Sequence, residues 1–154
     1  MKKDSRLSGI LHVLLHMAEI GEPITSEVMA QMMRTNPVVI RRIMAGLRDA
    51  GFVRSEKGHG GGWIIEADFE CITLRDVYAA LGSPGLFAIG NRNDAPSCLV
   101  EQTVNAVLET AFHDAEELLL LHFGTVTLAQ LSRNFHARLL ANGISLDMET
   151  SDAV

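Results

Sequence analysis

The stretch "TNPVVIRRIMAGLRDAGFVRSEKGHGGGWIIEAD", residues 35–68, decides the fold. Asn36 is a capping residue and Pro37 suits a first helical position, so a helix is predicted from Pro37 to about Ala50, where Gly51 supplies a left-handed stop. Along it Ile40, Ile43, Met44 and Leu47 recur at helical spacing as a stripe to be buried. That stripe turns Val38, Arg41, Arg42, Ala45 and Arg48 to other faces. A solvated face is the plain alternative for such a basic strip, and the residues that follow favour a surface that meets a partner. "GFVRSEK" and "WIIEADF" alternate toward strand and "GHGGG", residues 58–62, joins them, which puts the glycines at the tip of a β-hairpin. A phosphate cradle needs a helix directly behind its glycines, so that backbone N–H groups and the helix dipole point at the anion. Here a strand with Trp63, Ile64 and Ile65 follows, and no G-K-[ST] occurs. The tip is longer than a minimal two-residue turn and carries Lys57 and His59. Small glycines let the backbone approach a sugar-phosphate chain, with the lysine supplying charge and the histidine a donor.

Upstream, Leu7, Ile10, Leu11, Leu14, Leu15 and Ala18 mark a first helix closed by "GEP". "ITSEVMAQMM" opens a second: Thr25 is its N-cap, Ile24 can staple to Met29, and Glu27 suits the positive helix end. Met33 is its last apolar anchor, and only "RTN" links it to the helix at Pro37. Two short helices joined this tightly cross steeply, as in a helix-turn-helix. Helix, helix, basic helix and basic hairpin in that order make a winged helix-turn-helix.

Downstream, the capping box "TLRD" (Thr73, Asp76) starts a helix with Val77, Tyr78 and Leu81 that ends in "GSPG". "LFAIGNRNDAPS" reads as a loop anchored by Phe87 and Ile89. A long periodic helix from about Ser97 to Phe123 carries Val100, Val104, Val107, Leu108, Ala111, Ala115, Leu118 and Leu119. At about 1.5 Å per residue it reaches ~40 Å, more than the small head can cover. A second copy of the helix would cover it; packing on its own head and on a last helix, Thr127 to Leu140, is the alternative. The expected fold is therefore mainly α with a small β-hairpin. A winged helix-turn-helix DNA-binding domain occupies 1–82, a loop 83–96, the dimerisation and C-terminal helices 97–142, and a disordered acidic tail 143–154.

The 154 residues suffice for one compact domain, or a small domain with an oligomerisation element. No run reaches the ~18 apolar residues of a membrane span, and the N-terminal apolar stretch is broken by His12, His16 and Glu19 without a cleavage site behind it. A cytoplasmic protein with no membrane partner is expected. The net charge of −6 hides an asymmetry: Met1 to Ile65 holds nine Lys/Arg against six Asp/Glu, and the remainder four against thirteen. Such a split suits a front half that meets a polyanion and a back half that does not.

The succession of residues 35–68 resembles the winged-helix signature of the Rrf-two (Rrf2) family of bacterial transcription regulators, whose pattern runs through recognition helix, "L..AG.V.S..G..GG" and wing. Within it, "TNPVVIRR" and "LFAIGNRNDAPSC" are similar to the YwnA-like branch. The resemblance covers about residues 5 to 140 and implies a homodimer that binds double-stranded operator DNA through recognition helix and wing, with repression of transcription as the expected action. It implies no particular effector, small-molecule or oxidant. In cluster-binding relatives three cysteines crowd the loop and the start of the long helix; here that zone holds Cys98 alone, so the iron–sulfur ligands are lacking.

The expected DNA-contacting residues are Ser26, Thr35, Asn36, Pro37, Val38, Arg41, Arg42, Lys57, His59, Gly60 and Gly61. Cys98, near the positive end of the long helix, is the candidate redox sensor, weighed against simple packing. Cys71 reads as a buried small hydrophobe. His12 and His16 stand four apart, as metal ligands can, but no third ligand is identified. No cofactor or metal is expected, and nothing resembles a nucleophile–base–orienter set, so the chain does not read as an enzyme. The alternative to a DNA-binding regulator is a protein–protein adaptor that reuses the winged fold.

Overall fold

The computed structural model describes residues 3–144. It contains six helices, α1 (Arg6–Ile20), α2 (Ser26–Met32), α3 (Pro37–Asp49), α4 (Leu74–Ala80), α5 (Leu99–Phe123) and α6 (Leu128–Ala141). Strands β1 (Val53–Glu56) and β2 (Gly62–Ile65) form an antiparallel hairpin between α3 and α4, in the register Val53 to Ile65 and Glu56 to Gly62. From residue 145 on, the tail expected to be disordered lies outside the described residues.

The caps close where the side chains allow. Thr25 Oγ1 accepts from the Val28 N–H at 3.3 Å, Asn36 Oδ1 from the Val39 N–H at 3.1 Å, and Thr73 with Asp76 completes a reciprocal capping box. Gly21 ends α1 at φ 68°, a backbone region open to glycine. α3 stops one residue earlier than expected, with Ala50 as its C-cap.

The core is a single cluster. Ile10, Val13, Leu14 and Met17 of α1 meet Met29 of α2, the α3 stripe Ile40, Ile43, Met44 and Leu47, Val53 of β1, and Val77 of α4. Ile24 and Met29, the expected staple, are both part of it. Burying the whole apolar side of α3 fixes that helix against the head, and its other side stays at the surface.

Two features go beyond the local signals of the sequence. Ile24 pairs with Trp63 as an antiparallel bridge, donating its N–H to the Trp63 carbonyl at 2.9 Å and accepting in return at 2.8 Å. The hairpin is thus joined, one pair below its turn, to the residue just before α2's N-cap. α6, expected to group with the long helix, returns to the head: Thr127 bridges Thr73, the Leu128 N–H donates to the Ile72 carbonyl at 2.8 Å, and Leu128 is fully buried in the core. α6 also lies against α1, where His136 and Glu19 stand 2.6 Å apart.

The long helix begins at Leu99 rather than Ser97, with Cys98 at its N-cap. Over 25 residues its one buried side chain is Asn105, which donates to the Asn93 carbonyl at 2.8 Å. Of the two loop anchors expected, Phe87 reaches Phe112 with ring centroids 6.0 Å apart, but Ile89 is 70% exposed among the described residues and is not buried as an anchor.

The bridge sets a steric demand on Gly62. A Cβ there would lie 2.6 Å from the Ile24 carbonyl carbon and oxygen, both backbone atoms that the bridge holds in place. Gly62→Ala should therefore lower stability by about 1–3 kcal/mol, read as a fall in the urea midpoint without change in slope.

Candidate nucleic-acid interface

α3 shows its polar side beside the hairpin. Arg41 and Arg42 are both exposed, one helical position apart, on the side away from Ile40, Ile43, Met44 and Leu47. Val38 is 62% exposed near the start of the helix, where Thr35 and Asn36 are exposed as well and Pro37 is half-buried. One turn therefore separates Pro37 and Val38 from Arg41 and Arg42, with Thr35 and Asn36 just ahead of the helix. Lys57, His59 and Gly60 occupy the exposed tip of the hairpin.

The surface between these elements is a shallow groove of about 290 Å³ lined by residues that include Ser26, Glu27, Arg41, Glu56, Gly62 and Trp63. Ser26 differs from the other expected DNA-contacting residues: it is 7% exposed, and its hydroxyl accepts from the Trp63 indole N–H at 3.0 Å. Its evident work is to hold the ring of Trp63, which is only partly buried and packs against the core cluster. Gly61 also has a structural duty. A Cβ there would collide with the Glu56 carbonyl oxygen, so the turn itself excludes any larger residue.

Charge is distributed unevenly among the basic residues. Arg54 is held by Glu66 at 2.7 Å and Glu56 at 2.8 Å, which together raise its pKa above the ordinary value, Glu66 more than Glu56. Arg48 pairs with Asp49 at 3.1 Å, and Arg41 with Glu27 at 2.6 Å. Arg42, Lys57 and His59, by contrast, make no side-chain hydrogen bond or ion pair among the described residues. These three are thus unencumbered, while Arg41 is already paired. Glu27 was expected only as a helix-end charge. Fourteen residues separate it from Arg41, and no short-range spacing rule joins them.

Cys98 is exposed. The N–H groups of Glu101 and then Val100, at the start of α5, favour its thiolate and hold its pKa below the ordinary value, although no geometrically closed cap hydrogen bond forms. Cys71 is exposed too, contrary to the expectation of burial, because in and after the short 3-10 turn Phe69–Cys71 it is Phe69 and Ile72 that pack toward the core. His12 and His16 meet at 2.9 Å through their Nε2 atoms.

A helix-turn-helix whose third helix is followed by a hairpin bridged to the second defines a winged helix-turn-helix DNA-binding protein. The Rrf2 family, described as iron-dependent transcriptional regulators, matches residues 4–134, and the chain belongs to that family. It is 32% identical to YwnA of Bacillus subtilis (strain 168), a protein named as an HTH-type transcriptional regulator, over 73% of this chain and 84% of that one. In fold it is similar to a Lactobacillus plantarum protein described as a transcriptional regulator, at 22% identity and TM-score 0.69, covering 90% of this chain and 96% of that one. It is likewise similar to T. potens IscR at 18% identity and TM-score 0.60, covering 87% and 88%. Iron in the family's description does not fit the donors present here. The chain has two cysteines, and among the described residues no group of three or more His, Cys, Asp or Glu side chains stands together to hold a metal ion. Among the described residues, no helix is long and apolar enough to cross a membrane.

Lys57 and His59 lie in an exposed tip and make no side-chain hydrogen bond or ion pair among the described residues. Their joint replacement by alanine should change stability by under about 0.5 kcal/mol. Titrated across salt concentrations, duplex DNA should bind the variant more weakly, with a slope flatter by about 0.9 for each phosphate no longer engaged.

Proposed function

We propose that this regulator works as a homodimer in the cytoplasm, laying α3 in the major groove of its operator with the hairpin against the adjoining backbone or minor groove, and that it represses transcription by occupying that site. The observation that carries the reading is the division of α3: a fully buried stripe on one side, and Arg41 and Arg42 on the other, next to a hairpin tip whose Lys57 and His59 have no partner among the described residues. Thr35, Asn36, Pro37 and Val38 stand at the helix entry. Asn36 Oδ1 is occupied by the cap, which leaves its amide N–H₂ to donate to DNA. Gly60 and Gly61 let the tip come close to the sugar-phosphate chain. Ser26 acts through Trp63, and a direct phosphate contact would use its hydroxyl proton.

Dimerisation is supported by α5. Leu99, Val100, Val104, Val107, Leu118 and Leu121 are between 50% and 76% exposed on a helix that meets the head chiefly at α4. Apolar exposure on that scale favours a covered face, and a two-fold pairing would cover the helix with its own copy. An oxidant effector would act at Cys98, whose thiolate is favoured and which lies at the root of that helix. No catalytic constellation accompanies these features among the described residues, and the reading is of a non-enzymatic regulator.

The DNA-binding part is tested by selecting preferred duplexes from a random pool and titrating the Arg41→Ala, Arg42→Ala variant against the selected sequence. A base-reading arginine removed from the major groove should cost about 1–3 kcal/mol at that site, and an unchanged affinity would remove α3 from the interface. For the dimer, Val107→Glu places a charge in the exposed seam. Equilibrium sedimentation should then show monomers where the parent gives dimers; a dimeric variant would move the interface away from α5.

A further inference from the structure

Glu27 stands in the wrong place for a residue without a part in recognition. It lies in the first turn of α2, lines the groove between α2, α3 and the hairpin, and is a negative charge on a surface read as meeting a polyanion. Its carboxylate accepts from the Arg41 guanidinium at 2.6 Å, with the two side chains 59% and 55% exposed. A half-exposed pair of this kind contributes little to folding, because solvent screens it and two long side chains must be held still. Holding the fold is therefore a weak account of it.

We propose that Glu27 is a specificity-determining residue: it keeps Arg41 from serving as a general phosphate anchor and positions its guanidinium for a base edge. The proposal rests on the reading of α3 as the recognition helix and names a further residue for it. Arginine binds phosphate well wherever a backbone passes, and that contact carries no sequence information. Paired with Glu27, Arg41 offers a phosphate no net charge, and a phosphate close enough to bond it meets the Glu27 carboxylate as a like charge. A guanine edge is uncharged and presents O6 and N7 acceptors, which the guanidinium N–H groups not used by Glu27 can reach without displacing it. The carboxylate thus penalises a non-specific complex more than a specific one. Arg42 and Lys57, which have no such partner among the described residues, remain the phosphate contacts that hold the protein on any duplex.

The experiment compares the full-length parent, Glu27→Gln, Arg41→Ala and the double variant on a selected duplex and on a random-sequence duplex, each across a range of salt concentrations, with thermal unfolding measured alongside. Glu27→Gln should bind random duplex more tightly and with a salt slope steeper by about 0.9, as one more phosphate is engaged, while the ratio of specific to random affinity falls by about tenfold, the discrimination of one base contact. In the Arg41→Ala background the same substitution should leave the salt slope on random duplex unchanged, because no guanidinium remains to be released. A helix-end or folding role would instead lower both affinities in parallel, or persist without Arg41, and either result overturns the proposal. An unchanged ratio and slope in Glu27→Gln overturns it as well. Failure of the underlying reading looks different: Arg41→Ala would then match the parent on both duplexes, and the assignment of α3 would fall together with this one.

Discussion

Two backbone hydrogen bonds between Ile24 and Trp63 hold the proposed reading surface together. A two-stranded hairpin is marginal by itself in water, and this one gains its third neighbour from the segment just before α2. The bridge is short because Gly62 has no side chain, and the Trp63 indole reinforces it by donating to Ser26 at 3.0 Å. The hairpin therefore takes its direction from the N-terminus of α2, while its tip, beyond Gly62, is left to project. Since α2 and α3 pack against each other directly, the same bond pair relates the hairpin to α3, the proposed recognition helix.

α3 is the second half of that arrangement. Its buried stripe cannot rotate without exposing Ile40, Met44 and Leu47, all fully buried, so the outward direction of Arg41 and Arg42 is fixed by the core and not by their own contacts. Burying a side chain of that size contributes about 1.5–3 kcal/mol, far more than any ion pair on this surface. Electrostatics then sorts the exposed charges. Arg48 and Arg54 are neutralised by neighbouring carboxylates, Arg42 and Lys57 are not, and Arg41 lies between these groups because its partner sits inside the proposed reading groove itself. The positive front half read from composition is thus narrower in space than in sequence.

What is legible in the sequence is local. Thr25, Asn36 and the Thr73–Asp76 box act within three residues of themselves, and each cap forms as its residue type dictates. The α3 stripe follows from periodicity, and the hairpin from alternation around a glycine cluster. The winged fold is the sum of such signals in order. What escapes depends on contacts between distant residues. Ile24 to Trp63, Glu27 to Arg41 and Thr73 to Thr127 join positions whose proximity only the assembled core creates. Cys71 departs from expectation for a related reason: its residue type favours burial, but Phe69 before it packs against the core and Ile72 after it is buried, which leaves Cys71 at the surface. That Arg41, Arg42, Lys57 and His59 are exposed follows from charge and position in the sequence; which arginine is paired does not.

The same limits explain why α5 and α6, both apolar and periodic, take different roles. α6 is tied at its start by the Thr127–Thr73 bridge and by Leu128 in the core, so its remaining length is obliged to run along the head toward α1. α5 has no such tie at its N-terminal end; the loop before it lies along it through Asn93, Pro96 and Phe87. Its contact with the head is at the other end, where Phe123 meets Tyr78 of α4 with ring centroids 6.3 Å apart. α4 in turn sits so close to α3 that a Cβ on Gly46 would lie 2.5 Å from the Ala80 carbonyl oxygen. The helix that carries the apolar face and the helix that carries the arginines are therefore separated by one short, tightly packed element. In the proposed dimer the distance between the two recognition helices is then set by the angle at α4, and packing this close transmits a change in that angle instead of absorbing it.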